Sequence, residues 1–116
     1  MENADIVITC LPQADGIRKN RPALVLFRSE PFGDFVVCGI STQLHNAVKD
    51  MDEVLDSHSD DFPSSGLRKS SVIRILFLSS VAYSDIKGRI GKISSERHRR
   101  IAFHLSHHFR NLSSQE

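Results

Sequence analysis

The chain has no tryptophan, one tyrosine and two cysteines among its 116 residues. So few broad rings leave little material for base-stacking platforms, with Phe32, Phe62 and Tyr83 the aromatics in loop-like surroundings. Cys10 and Cys38 lie in apolar stretches without metal-type spacing and read as small buried hydrophobes; a disulfide between them would require their strands to pair. No apolar run approaches the roughly 18 residues of a membrane span, the longest being Asp5–Pro12 and Pro22–Phe27. The opening Met-Glu-Asn-Ala-Asp is acidic where a signal or transit peptide is basic, so a soluble, cytoplasmic protein with no membrane partner is expected. There is no internal repeat and no sign of a domain boundary, and the length suits one small domain spanning 1–116.

The composition itself is ordinary: 40% apolar and 25% charged residues exclude a largely disordered chain. The net charge of +1 hides a local imbalance. Asp50, Asp52, Glu53, Asp56, Asp60 and Asp61 form an acidic stretch with no Lys or Arg inside it. From Phe62 onward ten Lys or Arg stand against only Asp85, Glu96 and Glu116. A basic half suits a polyanionic partner, and the acidic stretch is either opposed to it or a solvated loop.

Short β-branched runs dominate the first three quarters. Ile6–Leu11, Arg21–Phe27, Phe35–Ile40 and Ser71–Leu78 read as strands, Glu53–Leu55 and Gly88–Ile93 as shorter ones. Asp15-Gly16, Pro31 and Gly33 mark turns, and Ser57–Gly66 reads as a flexible loop. Ser94 or Ser95 is a good N-cap for a helix from Glu96 to about Asn111, with Ile101, Leu105 and Phe109 on its apolar row and Ala102 and Leu112 beside them. Several strands and one terminal helix predict a mainly β (α+β) fold, a small curved sheet or barrel capped by a helix.

The other helix face carries Arg97, Arg100, His104 and His107 or His108, a basic stripe suited to phosphates or an acidic protein segment, or simply a solvated face. His104 and His108 are spaced for a zinc ion, with His107 adding a third ring. The turn lacks an acidic general base, and the Arg-rich helix repels a cation, so neither a metal nor a cofactor is expected.

Lys19-Asn20-Arg21-Pro22-Ala23-Leu24-Val25-Leu26 resembles the basic-x-Arg-Pro-Ala-x-Val-Leu signature of the MazF/PemK (Kid-like) toxins of type II toxin–antitoxin pairs. Four further segments resemble the family in the same order: Ala4–Val7, Val37–Gln43, Ser65–Arg74 and Ile90–Ser94. The resemblance implies an SH3-like β-barrel with a C-terminal helix that dimerises and cuts single-stranded RNA without a metal. It further implies silencing by an antitoxin with an acidic tail, and operator DNA bound through the antitoxin complex.

Metal-free RNA cleavage uses the neighbouring 2′-hydroxyl as nucleophile, and so needs a proton acceptor, a cation on the phosphorane and a donor to the leaving oxygen. Arg21 matches the family's catalytic arginine, with Pro22 restricting the backbone that presents it. Ser41 falls at the catalytic threonine if the segment aligns without a gap, and Thr42 is the alternative. Arg74 matches an arginine that helps hold the phosphate. Kid-like members place their proposed base two residues later, where this chain has Leu76, and the loop Ala14–Ile17 lacks the Glu or His of several members. The base must then come from elsewhere, with Asp15 and His45 the nearest candidates, or activity is weak or absent. Arg18, Lys19, Arg68 and Lys69 are placed to hold the RNA backbone. Two rival readings keep the barrel: a non-catalytic binder of nucleic acid or antitoxin, favoured by Leu76, and a CcdB-like topoisomerase poison, against which the Arg21 motif argues.

Overall fold

Six strands pair antiparallel throughout, in the spatial order β4-β5-β3-β2-β1-β6. They are β1 (Asp5–Pro12), β2 (Arg18–Arg28), β3 (Phe35–Ser41), β4 (Glu53–Leu55), β5 (Ser71–Val81) and β6 (Ile86–Lys92), with a helical turn α1 (Phe62–Ser65) and a terminal helix α2 (Ser95–Ser113). This computed structural model describes residues 1–13 and 15–114; Ala14, Gln115 and Glu116 lie outside the described residues. The sheet curls into a half-barrel whose outer strands are β4 and β6, the mainly β fold with a C-terminal helix that the sequence predicts.

Both faces of the sheet are covered, which explains the nearly unbroken apolar runs. Ile6, Leu24, Leu26, Cys38, Ile40, Ile73 and Ile75 point to one face and pack with Ile101 of α2. Val7, Leu11, Ala23, Val25, Val37 and Val81 point to the other. Side chains one residue apart go to opposite faces of a strand, so adjacent apolar residues serve two cores. Ala4 has φ of 77°, the left-handed region that glycine favours. Its backbone is pinned there by hydrogen bonds from Ala4 N to Val25 O and from Ile93 N to Ala4 O, both 2.9 Å.

Strand β2 separates the two cysteines: Cys10 pairs with Asn20 and Cys38 with Leu24. Both thiols are free, so the disulfide that adjacent strands would have permitted does not form. Burial, helped by the charge of Asp52, pushes the Cys38 thiol up to about 12.

Ser94 caps α2, its Oγ accepting from Arg97 N at 3.1 Å. Only Ile101 of the expected apolar row is fully buried; Leu105 is half-buried, and Ala102, Phe109 and Leu112 are exposed. The first half of the helix fills the space over the sheet, and the second half finds no strand to cover it. The expected basic stripe is also corrected. Arg97 is buried, donating from Nε and Nη2 to Asp61 at 2.9 and 3.1 Å and from Nη1 to Glu53 at 2.9 Å. Arg100 bonds Glu53 and Glu96 at 3.1 and 3.2 Å. The acidic segment this stripe meets is the protein's own, and two members of the acidic stretch are structural partners rather than solvated charges.

The Ser57–Gly66 segment contains the turn α1 instead of an irregular loop. Asp61 anchors it from below, and Gly66 ends it at φ 75°, where a Cβ would meet Ile90 O at 2.1 Å. Among the described residues, no helix is long and apolar enough to cross a membrane.

Candidate functional site

Strand parity brings the candidate residues together. Arg21 precedes Ala23 and Val25 by even steps, Ser41 follows Val37 and Gly39 likewise, and Arg74 lies between Ile73 and Ile75, which face the other way. All three side chains therefore leave the same face of the sheet. Gly39 pairs with both Ala23 and Arg74, and continuing that register by two residues sets Arg21 across from Ser41.

Gly39 makes this cluster possible by having no side chain. The β3–β5 register jumps from Cys38↔Leu78 to Gly39↔Arg74, so Ile75, Leu76 and Phe77 bulge out of the ladder. The Phe77 ring folds back over Gly39, where a Cβ would lie 2.7 Å from Cδ2. The Arg74 guanidinium in turn sits 5.9 Å from the centre of that ring.

A continuous groove results. Its centre is a narrow cleft of about 170 Å³ lined by Arg21, Ser41, Thr42, Gln43, Gln13 and Arg74 among others. It opens on one side into a cleft of about 460 Å³ that Arg21, Ser41 and Thr42 share with Arg68 and Lys69. On the other side, Arg74 and Gln13 belong also to a cleft of about 540 Å³ lined by Asp52, Leu76 and Phe77. Among the described residues no carboxylate pairs with Arg21 or Arg74. Two uncompensated guanidiniums beside two hydroxyls form a site for an oxyanion. The Ser41 hydroxyl accepts from Gln43 N at 3.1 Å, which holds the chain turn that also brings Thr42 to the centre. Among the described residues, no three His, Cys, Asp or Glu side chains converge as a metal site would require.

The family model for the PemK-like, MazF-like toxin of type II toxin–antitoxin systems matches residues 2–109. The chain belongs to this family. Among solved structures, the Mycobacterium tuberculosis toxin MazF-mt6 is similar over 90% of this chain and 95% of that one, with a TM-score of 0.65 and 21% identity. At that identity the likeness is one of fold. Among curated proteins none matches.

The Arg21-Pro22-Ala23 motif singled out in the sequence lies on β2 at the waist of the groove, with Ser41 and Thr42 at the end of β3 and Arg74 on β5. Arg68 and Lys69 line one flank. Arg18 and Lys19 are exposed at the start of β2 and line none of the three clefts; Arg18 Nη2 reaches Cys10 O at 3.4 Å. Asp15 and His45 also lie off the groove lining, Asp15 accepting from Ile17 N within its own turn. Several lining residues, among them Gln13, Gln43, Phe77 and Asp52, carry no sequence signal of a site. Phe77 reads as a continuing strand residue, and Asp52 is one of six acids in a stretch that charge alone does not resolve. Phe32 and Tyr83 are exposed outside these clefts, Tyr83 lying 6.2 Å from Phe35.

Proposed function

We propose that the protein is a metal-independent endoribonuclease that cleaves single-stranded RNA through attack by the 2′-hydroxyl, the toxin of an antitoxin-controlled pair. The observation that carries this reading is the pair of guanidiniums, Arg21 and Arg74, which meet no carboxylate among the described residues, beside the Ser41 and Thr42 hydroxyls at the waist of the groove. In this reading Arg21 grips the scissile phosphate and offsets the charge of the phosphorane, while Arg74 holds a second phosphate oxygen. Ser41 or Thr42 donates to the phosphate and orients it. Arg68 and Lys69 carry the backbone along the wider flank.

Family membership supports an antitoxin as partner. An antitoxin with an acidic tail would cover the basic groove, and operator DNA would be met through the paired complex. A second copy is supported by Phe109 and Leu112, exposed on the apolar side of α2 that Ile101 begins. The setting is the cytoplasm, where mRNA is available.

The test is incubation of purified protein with a long natural RNA in EDTA, beside Arg21→Ala. Discrete fragments bearing a 5′-hydroxyl are expected, with the rate reduced at least ~10²-fold in the variant. Leu76, standing where Kid-like members carry an acid, favours a second reading in which the groove binds without cutting. RNA that stays intact yet is retained by the protein would establish that reading instead.

A further inference from the structure

We propose that Asp52 is the catalytic base of this site, accepting the proton of the attacking 2′-hydroxyl. The inference rests on the ribonuclease reading and adds to it the one group that reading lacks. Attack by a ribose hydroxyl requires a proton acceptor within reach of the phosphate. Among the residues lining the three connected clefts, Asp52 is the only carboxylate, and no histidine is present. It shares its cleft with Arg74 and with Leu76, without closing an ion pair to the guanidinium.

The carboxylate is also rigidly held. Its Oδ1 accepts from Ile75 N at 3.1 Å, and its Oδ2 from Val48 N at 3.0 Å. Ile75 lies two residues beyond Ile73, which pairs with Glu53 at the start of β4, and where that short strand has not yet begun Asp52 supplies the acceptor for its backbone N–H. One side chain thereby ties the turn at 48–52 to the residue following Arg74. Two backbone bonds use about half of the acceptor capacity of a carboxylate, leaving lone pairs for a hydroxyl in the cleft.

The step balances as follows. The 2′-oxygen bonds to phosphorus as its proton passes to Asp52. The P–O5′ bond breaks, and the 5′-oxygen takes a proton from water. The products are a 2′,3′-cyclic phosphate and a 5′-hydroxyl end, and Asp52 returns its proton to solvent. Arg74 on β5 shares the cleft with Asp52; Lys49, Asp50 and Glu53 are the charged neighbours of Asp52 along the chain, and its charge reaches the Cys38 thiol on β3, which burial pushes up to about 12.

The experiment is the pH–rate profile of a defined single-stranded RNA, cut by the full chain in EDTA, for wild type and Asp52→Asn. Wild type is expected to lose about tenfold in kcat per pH unit on its acid limb. Asp52→Asn should lose that limb and at least ~10²-fold in kcat at pH 7, with KM within about threefold. Activity within threefold of wild type, or a lower rate that keeps the acid limb, overturns the proposal, since a merely structural role slows the reaction without flattening its profile. If thermal unfolding shows that Asp52→Asn does not fold, Asp52→Glu is read instead, because it keeps the charge and both acceptors. Its acid limb should be displaced, and one superimposable on the wild type's overturns the proposal. Wild type that leaves the RNA intact overturns both this inference and the ribonuclease reading, whereas an active wild type and an equally active Asp52→Asn overturn this one alone.

Discussion

Replacing Arg97 by methionine tests what holds α2 to the sheet. The side chain is 10% exposed and meets Asp61 and Glu53, themselves 8% and 13% exposed. Methionine keeps the apolar stem but removes both donors to Asp61 and the close donor to Glu53. Asp61 is then left with the Ser94 N–H at 3.0 Å, while Glu53 retains Arg100. Breaking a buried pair from one side costs roughly 3–5 kcal/mol, and the surviving Arg100 contact places this case near ~3. For a domain of this size the melting temperature should fall by roughly 10 °C, read by circular dichroism at pH 7. The pH arm carries the sign. Burial alone would raise the Asp61 carboxyl, but hydrogen bonds from Arg97 and Ser94, with the Arg97 charge, hold it below its ordinary 3.8. The folded state therefore binds this proton less readily than the unfolded one. Its stabilisation is full above about 3.8 and is lost as pH falls through the lower folded value. The gap between wild type and Arg97→Met should accordingly narrow in strong acid. A loss under ~1 kcal/mol at pH 7, or a gap unchanged at pH 2, would refute this account.

Gly39→Ala should push the half-exposed Phe77 ring outward, since the new Cβ would lie 2.7 Å from its Cδ2, costing only about 1 kcal/mol in thermal unfolding. The same change disturbs the ring beside Arg74, so the proposed RNA cleavage should slow by roughly tenfold, or ~1.4 kcal/mol of barrier, in the EDTA assay. Gly91→Ala should behave in the opposite way. Its Cβ would meet Ser64 O and Ser65 C at 2.3 Å, backbone that cannot swing aside, and a stability loss of ~3 kcal/mol or more is expected.

The strands and α2 were legible because their signals are local. Apolar pairs such as Ile6-Val7 and Leu24-Val25 mark two-faced strands, and Ser94 marks the helix start through its hydrogen bond to Arg97 N. The arginine motif likewise led to Arg21, and the register then grouped it with Ser41 and Arg74. What escaped depends on contacts distant in sequence. The turn α1 is four residues rich in serine and proline, ordered by Asp61 bonding an arginine 36 positions away. The β5 bulge is hidden in Ile75-Leu76-Phe77, three apolar residues that read as uninterrupted strand; the contacts that accommodate it, Gly39 under the Phe77 ring and Asp52 on the Ile75 N–H, are distant in sequence. The exposure of the far end of α2 is not legible at all, because periodicity tells which side of a helix is apolar, not how far the sheet beneath it extends.

The pairing of β1 with β6 joins Asp5 to Lys92, so the first strand obtains its second neighbour only from the last. Arg21, Ser41 and Arg74 are all in place along the chain well before β6 and α2, yet the face beneath them is closed by Ile93 and Ile101. A nascent chain that has exposed its groove residues from the ribosome still lacks the elements that fix them. Non-local pairings of this kind close slowly, so the groove is expected to be completed late in folding. In the ribonuclease reading proposed above, a chain of this design would be harmless to the message that is making it until its last quarter has been released.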